Sequence, residues 1–372
     1  MVKSVWKWIA MVFAIVAVGV AGFLVGQHVA ASQYQAEREQ LIQVNRSDLE
    51  GLAEVEGTIY VTGHKSPDLD TVGSAIAYAT LLQKLGYDAQ PVVLEEVNNE
   101  TKYVLETGGI DIPMQLEDAS GCNMVLVDHG EYAQSAEGLR DANVVAIIDH
   151  HGSGSVTTGN GVIYDARPLG STATIIWMRY RDYGIEIDQK TAYAMVGAIL
   201  SDTVNLQSDM TTLADREALK ELAEIAGIDD TDALHREMFK ASISYDGMTD
   251  EEIFFDDYKE YEAGGKKFGI GCVNAYDEDD AKDLVARMGK VLAGAQASTG
   301  VDMAYAQVSI FHDGISIVYL VPSSEIAAGV IETAFGDKAV SDGTAYRFEP
   351  GMSRRQVLVP AITDVLEAYP KE

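Results

Sequence analysis

Residues 58–85 begin with Thr58-Ile-Tyr-Val-Thr62, run through Gly63-His-Lys-Ser-Pro-Asp-Leu-Asp70, and continue as Thr71-Val-Gly-Ser-Ala-Ile-Ala-Tyr-Ala-Thr-Leu-Leu-Gln-Lys-Leu85. The first piece is a short apolar, β-branched run and reads as a strand. In the last piece Val72, Ile76, Ala79 and Leu82 recur at helical spacing, so a helix is expected over Thr71–Leu85. Between them lies a loop with one histidine, two aspartates and Pro67, which stiffens the turn. A strand feeding a helix through a loop rich in metal-ligand residue types is half of a βαβ unit.

The same pattern repeats downstream. Ala89–Leu94, Cys122–Val127 and Val144–Ile148 read as strands, and Ser171–Tyr183 and Lys190–Leu200 as helices. Alternating strands and helices predict a parallel sheet with crossover helices, in which ligands bind beyond the carboxyl ends of the strands. Further acidic and imidazole side chains stand at such ends: Val127-Asp128-His129, Asp149-His150-His151, and Ser201-Asp202 closing a helix. Carboxylates gathered at one sheet edge repel one another unless a cation neutralises them. A carboxylate and imidazole set without thiolate suits manganese, iron or magnesium better than a structural zinc site. His64 and Asp68 are expected on one metal, with Asp70 directed to a second. Asp128 would bridge the two, and His150 and Asp202 would complete the second. Such a pair can hold a bridging hydroxide against a phosphoryl group.

After about Leu234 the pattern changes, and the acidic, broken stretch 240–262 reads as a linker region. Lys267–Asn274 is a predicted strand and Asp277–Ser298 a helix. Met303–Phe311 and Ile315–Val321 flank His312-Asp313-Gly314, a hairpin signal. A smaller mixed α/β domain follows from this, carrying Ser353-Arg354-Arg355, whose paired guanidinium groups suit phosphate oxygens.

The chain has 372 residues and a net charge of -31, which repels nucleic acid at long range, so no nucleic-acid partner is expected. Cys122 and Cys272 form no C-x-x-C pair and read as reduced, buried thiols. Trp8–Gly26 is a run of 19 uncharged residues behind Lys3 and Lys7, with Trp6 and Trp8 at interface depth. It reads as a transmembrane anchor within residues 1–30, with a cleaved signal peptide as the rival. The expected localisation is a single-pass cell-membrane protein with its body outside the cytoplasm, a cytoplasmic body being the alternative. The remaining expected boundaries are a stalk at 31–56, a metal-binding domain at 57–238, a linker at 239–250 and a second domain at 251–372.

Over roughly residues 57–365 the sequence resembles the manganese-dependent (family II) inorganic pyrophosphatases of the DHH phosphoesterase superfamily. The motifs that carry the resemblance are G-H-K-S-P-D-L-D from Gly63, L-V-D-H-G-E from Leu126 and I-I-D-H-H from Ile147. With them go G-S-T-A-T-I-I from Gly170, A-I-L-S-D-T from Ala198 and S-R-R from Ser353. The resemblance implies a five-stranded parallel DHH domain and a C-terminal DHHA2-type domain that closes over the site. It implies two Mn2+ per site, with Mg2+ able to accompany the substrate, and hydrolysis of pyrophosphate to two phosphates by a metal-bridging hydroxide. Arg354 and Arg355 would bind phosphate and assist catalysis. His151 would contact substrate or act as an acid near the leaving group, and Asp149 would support the ligands. Lys65 is a further candidate substrate contact, and a homodimer is a candidate assembly. The sequence departs from the family pattern at Gly130, where asparagine is usual, at Gln207, where a phosphate-binding lysine is usual, and at Arg355, which replaces a lysine. These departures keep open two alternatives: another small phosphate ester or nucleotide as substrate, or a catalytically weak metal- and phosphate-binding module.

Overall fold

The computed structural model describes residues 2–312 and 315–368, the side chains of 2–7, 9–22, 25 and 312 excepted. The chain divides into two compact units, residues 1–238 and 239–372.

In the first unit, strands β1 (Ile59–Thr62), β2 (Ala89–Val93), β3 (Met114–Gln115), β4 (Asn123–Val127), β5 (Asn143–Asp149) and β6 (Ile163–Ala166) form one sheet in the order β3-β2-β1-β4-β5-β6. Every pairing is parallel. The sheet thus has six strands rather than the five that the resemblance implied, β3 being a two-residue edge strand. Strand order reverses between β1 and β4, so the loops after these two strands diverge and leave a crevice at their carboxyl ends.

Helices α2 (Leu69–Lys84), α3 (Asn99–Thr107), α4 (Thr172–Asp182), α5 (Gln189–Asp202), α6 (Leu213–Ala226) and α7 (Thr231–Ser242) complete this unit, the last crossing the division between units. The core is aliphatic and aromatic, with Val61, Tyr78, Val125, Ile148, Tyr180 and Ile199 at or near zero exposure. Helices α2 and α5 pack closely because Gly73 lacks a side chain; a Cβ there would meet the Ala194 carbonyl oxygen at 2.9 Å.

The expected anchor requires correction. Among the described residues, no helix is long and apolar enough to cross a membrane. Most side chains of the run Trp8–Gly26 lie outside the described residues. Its backbone belongs to one longer helix, α1 (Val2–Asn45), whose second half carries Glu37, Arg38 and Glu39. The single-pass membrane localisation, the extracytoplasmic placement derived from it, and membrane attachment through residues 8–26 are therefore withdrawn.

The segment expected as a stalk is not free. A 3-10 helix, Arg46–Glu54, follows α1 and buries Leu49 and Leu52 in the core of the first unit. Asp48 accepts from Arg179 Nη1 at 2.8 Å, and Arg179 Nε donates to Asp165 at 2.8 Å. Tyr183 also donates to Asp48, and the Arg46 guanidinium donates to the Tyr183 carbonyl. Arg179 is itself buried, so removing one of its carboxylates leaves a charge short of a partner in low dielectric. Asp48→Ala is expected to cost about 2 kcal/mol, a drop of about 4–8 °C in melting temperature for a unit of this size. A calorimetric melt within a degree of wild type would rule out this clamp.

In the second unit, α8 (Asp250–Asp256) precedes a six-stranded mixed sheet. Its strands are β7 (Tyr258–Ala263), β8 (Lys266–Asn274), β9 (Met303–His312), β10 (Ile315–Pro322), β11 (Val340–Ser341) and β12 (Tyr346–Phe348), in the order β11-β12-β10-β9-β8-β7. Only β8 and β9 pair in parallel, joined by the crossover helix α9 (Glu278–Thr299). Strands β9 and β10 pair antiparallel from His312 opposite Ile315, as the hairpin signal predicted; the turn residues 313–314 lie outside the described residues. Helices α10 (Glu325–Phe335) and α11 (Val359–Ala368) cover the other face. Cys122 and Cys272 are free and half-buried, one in each unit.

Candidate metal centre

Three neighbouring strands and one helix of the first unit end at a single point. The loop after β1 brings His64 and Asp68, and the first turn of α2 brings Asp70. Asp128 follows β4, His150 and His151 follow β5, and Asp202 is the last residue of α5. Ligand atoms of His64, Asp68 and Asp128 lie within 4.8 Å of one another, as do those of Asp70, Asp128, His150 and Asp202, and those of Asp128, His150 and His151. All six residues expected as metal ligands are thus brought together, and Asp128 belongs to every group.

Asp128 lies between two imidazoles. One carboxylate oxygen faces His64 Nε2 at 3.4 Å and the other faces His150 Nε2 at 3.3 Å. Its backbone takes the left-handed conformation, φ 61°, unusual for a residue with a side chain. Thr71 and Thr172 donate their hydroxyls to its two oxygens at 2.8 and 3.1 Å. Asp68 caps α2 with one oxygen, accepting from Thr71 N, and turns the other to His64 Nε2 at 3.4 Å. Asp70, fully buried, accepts from Ser171 Oγ, Thr172 N and Ala173 N at the start of α4.

The imidazoles are oriented from behind. His64 Nδ1 faces the Lys65 carbonyl at 2.7 Å and His150 Nδ1 the Leu169 carbonyl at 3.0 Å. A carbonyl only accepts, so each Nδ1 carries a hydrogen and Nε2 is the nitrogen through which each imidazole would ligate a cation. The buried Nε2 of His150 makes no hydrogen bond, although two carboxylates lie 3.3 Å away. A buried imidazole nitrogen with no hydrogen bond, set among carboxylates, is a donor that a cation would satisfy, and this oxygen-and-imidazole set fits manganese.

The electrostatics agree. Burial, then Asp70 and Asp128, push the Asp202 carboxyl up to about 10. Burial and the Asp128 charge raise Asp70 to about 7. Burial opposes ionisation of Asp128 too, but the His150 and His64 imidazoles beside it drive it well below the usual carboxylate range. Burial lowers His64 and His150, yet their carboxylate partners outweigh it and push them up to about 11 and about 10. Without metal, the cluster therefore holds protons at pH 7 on His64, His150 and Asp202. These protons must leave when cations enter. Mn2+ affinity is accordingly expected to rise with pH through neutrality and to fall on acidification, about tenfold per pH unit for each proton displaced. Calorimetric Mn2+ titrations in buffers of differing ionisation enthalpy should show net proton release at pH 7; a buffer-independent heat would contradict this.

His151 stands beside the cluster, with its side chain 56% exposed and its Nδ1 2.9 Å from Asp149 Oδ1. That hydrogen bond raises its pKa against partial burial and engages Nδ1 rather than Nε2. Asp149 spends Oδ1 on the His151 ring and backbone rather than on a ligand position. Lys65 is half-buried, and its amine has no hydrogen bond or ion pair among the described residues. Gly130 has room for a side chain, the nearest atoms to an added Cβ being Gly154 N at 3.5 Å and Asp149 Oδ2 at 3.8 Å. Gln207 is exposed and follows Val204, Asn205 and Leu206, all at positive φ.

The arginines belong to the second unit. Arg354 is tied to Asp257, donating to its carbonyl at 2.6 Å and its carboxylate at 2.7 Å. Arg355 is exposed and has no such partner among the described residues. Thr71, Leu169, Ser171 and Thr172 were not anticipated as part of the site. For Ser171 and Thr172 the sequence signals were the G-S-T-A-T-I-I motif and its capping pattern ahead of an apolar run.

Comparison with known proteins agrees with this architecture. Residues 58–199 match the DHH family, N-terminal domain, and residues 236–365 match the DHHA2 domain. The chain is 37% identical over 311 residues to the "Probable manganese-dependent inorganic pyrophosphatase" of Exiguobacterium sp., covering 82% of this chain and 98% of that protein. It is 36% identical over 309 residues to the manganese-dependent inorganic pyrophosphatase of Methanothrix thermoacetophila, covering 82% of this chain and 97% of that one. A solved Methanococcus jannaschii protein assigned to the family II inorganic pyrophosphatases superposes with a TM-score of 0.51 at 33% identity, covering 83% of this chain and all of that one. With both domains matched and nearly the full length of its relatives spanned, the chain belongs to the manganese-dependent inorganic pyrophosphatase family.

Proposed function

We propose that this protein is a metal-dependent hydrolase that splits inorganic pyrophosphate into two phosphates using two manganese ions. The observation that carries the reading is Asp128, whose two oxygens face two different imidazoles, each within its own carboxylate set. His64, Asp68 and Asp128 would hold one ion, and Asp70, Asp128, His150 and Asp202 the other. Bound there, the two ions supply an activated water and a positive field for phosphoryl oxygens.

The chain's own side chains have separable tasks in this reading. Leu169 and Lys65 carbonyls fix the tautomers of the two ligating imidazoles. His151, its proton affinity raised by Asp149, gives a proton to the leaving phosphate through its Nε2. Arg355 grips phosphate oxygens with a guanidinium that no carboxylate among the described residues occupies. Arg354, already held by Asp257, adds positive charge from a fixed position, and Lys65 is a further candidate cation.

The test is phosphate release from pyrophosphate by the full chain with Mn2+. Turnover that falls with Arg355→Ala, chiefly through a higher KM, is the expected result. Turnover of a nucleotide but not of pyrophosphate would favour a different phosphate ester as substrate. Mn2+ binding without turnover of either would mark a binding module, an outcome to which Gly130 and Gln207 give weight.

A further inference from the structure

The segment Leu169–Ala173 touches three of the candidate ligands at once. Its Leu169 carbonyl orients His150, its Thr172 hydroxyl donates to Asp128, and Ser171 Oγ with the amides of Thr172 and Ala173 cradles Asp70. Such a segment must itself be held, because a shift of half an ångström would be passed to all three ligands together. The group that holds it is Asp215, in the first turn of α6. Its carboxylate accepts from Gly170 N at 3.0 Å and from Thr174 Oγ1 at 2.7 Å, on either side of Ser171, Thr172 and Ala173. It also accepts from Thr212 N and Thr212 Oγ1, both at 2.7 Å, and so ties in the end of the loop that leaves Asp202.

Asp215 has zero exposure, and no cationic side chain pairs with it among the described residues. A buried carboxylate satisfied only by neutral donors is costly to place for its own sake when an apolar residue would fill the space. The contact is also sterically tight. A Cβ on Gly170 would meet Thr203 Cγ2 at 2.7 Å and Asp215 Oδ2 at 2.9 Å, so only glycine lets the two loops meet over this carboxylate.

We propose that Asp215 is a positioning residue of the metal centre, locking the segment Leu169–Ala173 against the loop after Asp202 so that Asp70, Asp128 and His150 are held at ligating distance. The proposal rests on the two-cation reading above. It makes a specific chemical demand: acceptors, not charge, are needed at position 215. Asparagine can meet it, its amide oxygen accepting from Gly170 and Thr212 while its NH2 group donates to Thr174 Oγ1.

The experiment is equilibrium binding of Mn2+ to the full chain, followed by the paramagnetic resonance signal of the free ion, with circular dichroism and the metal-free melt recorded alongside. Asp215→Ala is expected to weaken the ion on Asp70, His150 and Asp202 by roughly ten- to a hundredfold. The ion on His64 and Asp68 should be weakened less. Asp215→Asn should bind within about threefold of wild type, since its amide group can pair with the same partners. Should Asp215→Ala not fold, Gly170→Ala tests the same lock with the Thr212–Asp215 cap intact, and the same selective weakening is expected. Folded alanine variants with wild-type Mn2+ affinity at both positions, or an asparagine variant as weak as alanine, would overturn the proposal and leave the two-cation reading standing. A wild-type chain that binds no Mn2+ would overturn both.

Discussion

Asp128→Ala should abolish binding of both manganese ions and with it pyrophosphate hydrolysis, while the chain stays folded. No other ligand is shared by all three clusters, so no other single change removes a carboxylate oxygen from both ions. The expected loss in kcat/KM is at least about 10,000-fold, or about 5.4 kcal/mol at 1.36 kcal/mol per tenfold. Each ion would lose a ligand, and the separation that lets two cations act on one phosphoryl group would lose its bridge. The apo protein should tolerate the change, because deleting one carboxylate from a crowded set relieves Asp70 and Asp202 of a like charge. Mn2+ titration, steady-state kinetics and circular dichroism on the same preparation separate these effects. A variant that retains one tight Mn2+ site with near wild-type turnover would refute the bridging role.

Chelation should produce the second largest effect. The metal-free cluster crowds Asp68, Asp70, Asp128 and Asp202 around one point with His64 and His150 as the counter-charges. In the proposed reading, divalent cations bind this folded cluster and not the unfolded chain. At a free Mn2+ concentration about a thousandfold above the dissociation constant, one site adds about 4 kcal/mol to stability. For a unit of this length that is about 8–16 °C in melting temperature. Metal-loaded and chelator-treated protein should therefore melt at clearly different temperatures. The gap should narrow as pH is lowered, because protons on His64, His150 and Asp202 then compete with the ions. Equal melting temperatures with and without chelator would remove the case for a resident cation.

The residues of the cluster were legible in the sequence because each stands at the end of an element that local periodicity defines. A β-branched run, a loop of His and Asp, and a capped helix are signals carried by neighbouring residues, and the parallel sheet follows from their alternation. The same reading failed where a local signal was given a role that only packing assigns. The uncharged run Trp8–Gly26 fits a membrane helix by length and composition, yet it belongs to a longer helix, and among the described residues no helix qualifies as a span. Residues 46–54 look like linker, but Leu49 and Leu52 are core and Asp48 pairs with Arg179, a residue 131 positions away.

Alone, then, the sequence determined the two-domain α/β plan, the acidic and imidazole residues that meet in the cluster, and the family. Which carboxylate stands between the two imidazoles, which nitrogen of each imidazole faces the carboxylates, and which buried acid holds the segment Leu169–Ala173 were decided by the tertiary structure. Those properties depend on hydrogen bonds such as Ser171 to Asp70 and Thr172 to Asp128, between residues 101 and 44 positions apart. At such separations nothing in the local pattern of side chains records the contact; it exists only once the sheet has set the strand ends side by side.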